Sequence, residues 1–221
     1  KNFNTAEKFL NKAIQIQPDN VTAYSNLGIL FKELRNFEKS LSCYQKAIEI
    51  QPNNARSHNE LGVIFKELRE FQKSKDCFQK AIEIDSNYTG AYINLGNILK
   101  ELGDYKKAII NYQKAIQIQP NNLKSYLNLA ILFKDQGEVE KAIEYYEKVV
   151  RYETGNLRIH YELNNLKNEN INSDLKNNIE KIIKEKKSTK ANLAYGHLLL
   201  SKYEYSLKNY EKEFNHLLRG H

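Results

Sequence analysis

The prolines of this chain lie at a fixed interval, and that interval constrains the fold more than any other feature. Pro18 and Pro52 are 34 residues apart, and Pro120 follows at twice that distance, with Ser86 in the slot between them. A period of this length is typical of repeat proteins. Each repeat is then one supersecondary unit that can bury its apolar face only against its neighbours.

Aligned on this period, the chain repeats short sequences as well as single residues. Ala23–Gly28 matches Ala91–Gly96, and Phe31–Leu34 recurs as Phe65–Leu68. Within each repeat, apolar residues recur at spacings of three and four, which predicts two amphipathic helices. Each helix carries one small residue that would let the pair approach closely: Gly28, Gly62, Gly96 and Ala130 in the first helices, and Ser40, Ser74, Ala108 and Ala142 in the second.

The period and the residue pattern resemble the tetratricopeptide repeat family. This resemblance implies an all-α fold, a right-handed superhelical α-solenoid of helix-turn-helix repeats whose concave face is lined by the first helices. Residues 1–20 would be the second helix of a truncated repeat, and 21–156 would be four full repeats. Residues 157–221 would be degenerate C-terminal helical repeats that cap the array, because Asn164 stands where a glycine is expected.

The inward positions of the first helices are the predicted peptide-binding surface. One position carries an amide in three repeats and a carboxylate in a fourth, and two further amides lie nearby: Asn26, Asn94, Asn128, Glu60, Asn59 and Asn97. In protein O-GlcNAc transferases, whose repeats this chain resembles, asparagines at this position bond to the backbone of an extended peptide. An amide both donates and accepts, so it can pair with a peptide unit in either direction. The alternative is that these are solvated or capping consensus residues.

A row of lysines is the second candidate on this surface: Lys32, Lys66, Lys100 and Lys134. The row could attract acidic side chains or the terminal carboxylate of a peptide. Alternatively, each lysine pairs with the acidic residue that follows it in the sequence, on a solvated face where such pairs contribute little. We favour this second interpretation.

Enzyme motifs are not found in the sequence, because the glycines are isolated and form no phosphate-binding loop. Cys43 and Cys77 are too few for a disulfide framework or a four-ligand zinc site. His197 and His216 are expected to face one another across the last predicted hairpin, but no Cys or acid accompanies them at ligand spacing. We therefore predict no catalytic residue, no metal ligand and no cofactor in this sequence.

Charge and hydropathy restrict the partners. The net charge of +7 is spread along the chain without a basic stripe, which argues against nucleic-acid binding. Neither a signal peptide nor an apolar run of membrane-spanning length is visible, which predicts a cytoplasmic protein that does not bind a membrane. The predicted partner is a protein or peptide. Exposed apolar ends leave a homo-oligomer open, through Phe3, Phe9, Leu10 and Ile14 at the N-terminal end.

Two functions fit these observations. The first is a protein–protein interaction scaffold that binds an extended or helical peptide segment in the concave groove. The alternative is the non-catalytic, substrate-recruiting arm of a larger sulfotransferase or glycosyltransferase. Residues 157–221 resemble the repeat region of bacterial tetratricopeptide–sulfotransferase proteins, in which a Tyr-x-x-Ala-Phe helix ends in Gly. Here the matching residues are Tyr210, Phe214 and Gly220, with Glu213 in place of the Ala.

Overall fold

Every regular element in the described part of the chain is an α-helix. The computed structural model describes residues 2–185 and 188–220. The helices are α1 (Phe3–Ile16), α2 (Val21–Glu33), α3 (Phe37–Ile50), α4 (Ala55–Glu67), α5 (Phe71–Ile84), α6 (Thr89–Glu101), α7 (Tyr105–Ile118), α8 (Leu123–Asp135), α9 (Val139–Tyr152), α10 (Leu157–Lys167), α11 (Ser173–Lys184), α12 (Lys190–Ser206) and α13 (Tyr210–Gly220). The predicted all-α class is confirmed.

The chain forms two compact units, Lys1–Ser125 and Tyr126–His221. In the first unit, α2 packs on α3, α4 on α5 and α6 on α7, and successive pairs meet through α3 with α4 and α5 with α6. In the second unit, α10 packs on α9 and α12, and α12 also packs on α11 and α13. Most of these contacts join helices that are consecutive in the sequence, whereas α10 and α12 have α11 between them.

Asparagine and aspartate side chains begin several of these helices. The side chains of Asn20, Asn36, Asn54 and Asp104 each accept a hydrogen bond from the backbone N–H three residues later. These bonds satisfy one of the N–H groups that the first turn of a helix leaves without a partner. Local sequence therefore favours the start of these four helices at these positions.

The turn inside each hairpin requires a left-handed residue. Gly103 and Gly137 supply it with φ of 78° and 75°, and Arg35 and Arg69 occupy the equivalent turns with φ of 57° and 61°. A left-handed backbone is disfavoured for residues with a Cβ, so the two arginines carry a local cost that the glycines avoid.

The predicted close approach of the two helices in a repeat is confirmed. A Cβ added to Gly96 would lie 2.5 Å from Cε1 of the buried Tyr112. In the first full repeat, the buried Ser40 hydroxyl also donates a 2.8 Å hydrogen bond to the carbonyl oxygen of Gly28. The glycine thus provides both the space for an aromatic ring and an acceptor for the facing helix.

At the N-terminal end, the predicted exposure of the apolar residues is partly wrong. Phe3, Leu10 and Ile14 pack against the core cluster that contains Leu27, Leu30 and Phe31 of α2. Phe9 remains 67% exposed, as expected, and Ile16 is 77% exposed. The helix turns its regular apolar stripe toward α2, so only residues off that stripe face solvent.

In the last hairpin, formed by α12 and α13, the glycine at the contact between the two helices lies on the second helix and not on the first. Gly220 of α13 packs against Leu198 and the carbonyl oxygen of Ala194 in α12, whereas Gly196 of α12 packs against Leu157 and Ile183. A small residue therefore still mediates the close approach of α12 and α13, although the 34-residue pattern has been lost.

Candidate functional site

In the first unit, the shared position of the first helices presents three polar side chains, Asn26 on α2, Glu60 on α4 and Asn94 on α6. Asn26 is exposed, whereas Glu60 and Asn94 are half-buried. The face that carries these three residues is called the first-helix face below. Its amide and carboxylate groups can pair with peptide N–H and C=O groups.

Polar contacts link the three helices of the first-helix face. Lys32 Nζ donates to Glu60 Oε2 at 2.5 Å, which ties α2 to α4. Asn94 Nδ2 donates to Asn59 Oδ1 at 2.9 Å, which ties α6 to α4. Asn59 lies beside Glu60, with 3.4 Å between Asn59 Nδ2 and Glu60 Oε1. The bonds hold Asn94 in place while its Oδ1 accepts no hydrogen bond from a described residue.

Asn59 is more buried than Asn26 and Asn94, two other predicted site residues of this unit. Its exposed fraction is only 4%. Buried polar groups need partners, and the bond from Asn94 supplies one. Asn59 therefore positions the Asn94 side chain through this hydrogen bond, and the residue that a ligand could contact directly is Asn94.

The preferred pairing of a lysine with the next residue in the sequence is confirmed for Lys66, and two other lysines form ion pairs between repeats. Lys66 Nζ lies 3.5 Å from Glu67 Oε1, as expected. Lys32 pairs with Glu60, and Lys134 of the second unit pairs with Glu162 at 3.0 Å. In both cases the carboxylate comes from the first helix of the following repeat. Neighbouring first helices lie side by side, so a long lysine side chain reaches the next helix.

The remaining predicted site residues have separate locations. Lys100 is half-buried on α6. Asn97 accepts a 2.8 Å hydrogen bond from the Tyr112 hydroxyl, so its amide contacts the hairpin core. Asn128 and Lys134 lie on α8 in the second unit, where both are half-buried. The first-helix face of the first unit thus brings together Asn26, Asn94, Glu60 and Lys32.

A buried hydroxyl beneath this face was missed by the sequence reasoning. Tyr44 is 1% exposed, and its hydroxyl has no hydrogen-bond partner among the described residues. Burial raises the pKa of Tyr44, and the negative charge of Glu60 raises it further. A signal was available, because Ile29 occupies in this repeat the position at which Asn97 accepts from Tyr112.

In the second unit, the predicted meeting of His197 and His216 is confirmed. Their Nδ1 atoms lie 3.0 Å apart and their ring centroids 5.3 Å apart. Burial is the main cause that lowers the pKa of each imidazole. Among the described residues, no group of three or more His, Cys, Asp or Glu side chains has the arrangement of a metal site.

The two cysteines have the environment of packing residues. Cys43 and Cys77 are both half-buried, and burial raises the pKa of each thiol to about 11. The thiolate is the nucleophilic and metal-binding form, so both side chains are protonated and unreactive near neutral pH. None of the described helices is long and apolar enough to cross a membrane.

Family models of the tetratricopeptide repeat match the chain almost continuously through its regular part. Four models described as "TPR repeat" or "Tetratricopeptide repeat" match residues 21–54, 55–88, 77–110, 96–137 and 123–156. Together they cover residues 21–156, which is more than half of the chain. No curated protein matches the sequence.

Several solved structures share the fold. MamA superposes with a TM-score of 0.63 and 25% identity over 69% of this chain and 89% of its own. PilF of Pseudomonas aeruginosa gives 0.70 and 20% identity over 98% and 90%. YrrB, described as a tetratricopeptide repeat protein with an unusual peptide-binding site, gives 0.60 and 18% identity over 93% and 96%.

Proposed function

The chain belongs to the tetratricopeptide repeat family, and from this membership and the site geometry we propose that it holds an extended peptide segment of another protein on the first-helix face. Helical repeats of this kind serve as scaffolds for protein–protein interaction. The observation that carries the finer proposal is the pair of amides, Asn26 and Asn94, on α2 and α6 of one unit. YrrB supports it as a protein of the same fold that has a peptide-binding site.

The chemistry of the two amides favours recognition of the peptide backbone. Asn94 uses one N–H to bond Asn59 and retains a second N–H and its carbonyl oxygen. Asn26 makes no side-chain hydrogen bond to a described residue and is exposed. Both amides can donate to a peptide C=O and accept from a peptide N–H. Binding through backbone groups selects an extended conformation more than particular side chains.

Glu60 and Lys32 give the middle of the first-helix face little net charge. Their ion pair is close and only partly exposed, with 28% of the lysine side chain and 19% of the glutamate side chain accessible. A ligand that needed one of these charges would first have to break the pair. We therefore expect the preferred ligand to be uncharged where it crosses α4.

The affinity should be modest. Each hydrogen bond exchanged with water contributes a net of about 0.5–1.5 kcal/mol. An unfolded segment also loses conformational freedom when it is held, which offsets part of the gain. We expect micromolar binding, on the order of −8 kcal/mol, for a matched segment.

Nuclear magnetic resonance can locate the binding surface. Peptides would be selected against the whole chain from a random library, and the strongest binder would be titrated into ¹⁵N-labelled protein. The proposal expects the largest shifts at the side-chain amides of Asn26 and Asn94. The amides of Asn53 and Asn121, which lie in turns, should not shift. Shifts confined to the second helices or to residues 157–221 would reject the first-helix face as the binding surface.

The transferase-arm alternative remains a prediction that rests on the resemblance of the C-terminal segment. It keeps the same binding role and places it within a larger enzyme. Reading the coding sequence on both sides of the chain tests it, because a sulfotransferase or glycosyltransferase domain must then be encoded in frame. A reading frame without such a domain rejects it.

A further inference from the structure

The outer side of α7, in the first unit, carries an exposed row of two lysines and one isoleucine. Lys106, Ile110 and Lys114 are four residues apart, so they follow one another along one side of the helix. All three are exposed, and Ile110 is 61% exposed. This row is called the α7 patch below. It belongs to the second helix of its repeat, whereas the first-helix face is formed by first helices.

The α7 patch differs from the same row in the three other full repeats. The equivalent residues are Glu38, Ser42 and Lys46 in α3, Gln72, Asp76 and Lys80 in α5, and Glu140, Glu144 and Lys148 in α9. Each of those rows pairs one lysine with at least one acidic residue and contains no apolar residue. The row in α7 has two lysines, no acidic residue and an aliphatic side chain between the lysines. The repeat architecture itself therefore does not require this combination.

The two lysines of the α7 patch have no acidic partner on the helix. In α3 and α5, the lysine equivalent to Lys114 forms an ion pair with a glutamate three residues later, at 2.8 Å and 3.0 Å. Gln117 occupies that place in α7. Among the described residues, no carboxylate forms an ion pair with Lys106 or Lys114, whereas Lys107 pairs with Asp104 at 2.8 Å. The two charges are therefore available to a partner.

From this arrangement we propose that the α7 patch binds an acidic amphipathic helix of a partner protein. An apolar side chain between two carboxylates, at four-residue spacing, matches the patch in both charge and hydropathy. Contact with that side chain removes Ile110 from water, which is favourable. The two ion pairs lie at the rim of the contact, where they set the register and disfavour basic partners.

A protein helix fits the α7 patch better than a lipid surface does. Helices that bind a membrane surface insert a broad apolar face, with several large side chains, below the lipid headgroups. The row in α7 offers one aliphatic side chain, Ile110, between two charged ones. A contact of this size suits a single apolar anchor with charged residues around it.

Nuclear magnetic resonance titration with a designed probe tests the proposal. The probe is an alanine-based helical peptide that carries Glu, Leu and Glu at four-residue spacing, and a second probe has Lys in place of both Glu residues. The acidic probe should shift the backbone amides of Lys106, Ile110 and Lys114 in the ¹⁵N-labelled chain, and the basic probe should not. In salt of about 1 M, where charges are screened beyond about 3 Å, the acidic probe should bind several-fold more weakly.

An exchange of residues between repeats provides the matched variant. Lys106→Glu, Ile110→Ser and Gln117→Glu give α7 the row and the ion pair of α3, and all three positions are exposed. The variant should therefore keep the helical circular dichroism and the melting temperature of the wild type. It should bind the acidic probe about tenfold or more weakly, because it loses the apolar contact and gains repulsion.

The reverse exchange tests whether the row is sufficient. Glu38→Lys, Ser42→Ile and Glu49→Gln in α3 should create a second site, seen as new shifts in α3 on addition of the acidic probe. No shift in α7 with the acidic probe, equal shifts with the basic probe, or equal binding by the wild type and the α7 variant would overturn the proposal. Binding of phosphatidylserine vesicles through α7 without binding of the acidic probe would also overturn it, in favour of a lipid surface.

Discussion

The hydroxyl of Tyr112 donates a 2.8 Å hydrogen bond to Oδ1 of Asn97, across the interface between the two helices of one repeat. The equivalent hydroxyl of Tyr44 is buried and has no partner among the described residues. A buried polar group without a partner costs about 1–3 kcal/mol, whereas a satisfied bond contributes about 0.5–1.5 kcal/mol. The same side chain therefore has opposite effects on stability in two repeats.

Substitution of these two tyrosines should change stability in opposite directions. Tyr44→Phe removes the hydroxyl that lacks a partner and should raise the free energy of unfolding by about 1 kcal/mol. Tyr112→Phe should lower it by about 1 kcal/mol, because the hydrogen bond from the Tyr112 hydroxyl to Asn97 is lost. Urea denaturation followed by circular dichroism measures both changes. Phe78 occupies the same position in the intervening repeat, so the ring without a hydroxyl is already compatible with the fold. Equal effects of the two substitutions would contradict this account.

An alanine at Gly96 should destabilise the first unit. The added methyl group would lie 2.5 Å from the Tyr112 ring, so the ring or the helix must move. Overpacking of this kind costs about 1–3 kcal/mol. Gly155 is the matched control, because a Cβ there would meet no atom within 4 Å and its φ is not left-handed. A Gly155→Ala chain should unfold at the wild-type urea concentration, and a Gly96→Ala chain that does the same would disprove the packing role.

Stability should depend on whether the left-handed residue of each hairpin turn is glycine. Arg69 has φ of 61° and Gly103 has φ of 78° at equivalent turns. Gly103→Arg should lower the free energy of unfolding by about 1 kcal/mol, since a left-handed residue with a Cβ is strained by about that amount. Arg69→Gly should have the opposite sign and a smaller size, because glycine also loses more conformational freedom on folding. If Gly103→Arg unfolds at the wild-type midpoint, the turn is not under this constraint.

The stability of the second unit should depend on pH through His160. Burial lowers the pKa of His160 below its ordinary value of 6.5 in the folded state, despite a hydrogen bond with the Thr154 carbonyl oxygen. The unfolded chain then binds more protons as the pH falls below 6.5, so the stability that the neutral imidazole provides is lost between that pH and the folded-state pKa. Tyrosine fills the equivalent position in other repeats, for example at Tyr126.

A His160→Tyr variant therefore isolates this contribution. The loss of stability between pH 7 and pH 5 should be smaller in the variant than in the wild type, measured as the shift of the urea midpoint. Other groups titrate equally in both chains and cancel in the comparison. An identical pH dependence in the two chains would show that His160 is not protonated on unfolding.

The repeat period was sufficient to predict the helices and their pairing in residues 21–156. The predicted contact of Gly28 with the second helix of its repeat follows from spacing alone, because the position recurs at 34-residue intervals. Side-chain partners between repeats were harder to predict. Lys32 reaches Glu60 because the first helices of two repeats are neighbours, and that proximity is a tertiary property.

In the C-terminal segment, the 34-residue pattern no longer predicts which residues pack between helices. Asn164 replaces the expected glycine, and its amide donates to the Glu169 carbonyl oxygen in the segment that follows α10. The small residue of the last hairpin lies on α13 as Gly220, beyond the regular repeats that end at residue 156. His197 and His216 could still be placed across one hairpin, since the pairing of α12 with α13 needs only two amphipathic helices and a short turn.

The central claim is that Asn26 and Asn94 hold the backbone of a peptide on the first-helix face. Isothermal titration calorimetry of a library-selected peptide into the wild type, the Asn26→Ala/Asn94→Ala chain and an Asn53→Ala control tests it most directly. Loss of two hydrogen bonds should weaken binding about tenfold or more in the double variant, and the control should match the wild type. A double variant that binds the peptide as tightly as the wild type would contradict the claim.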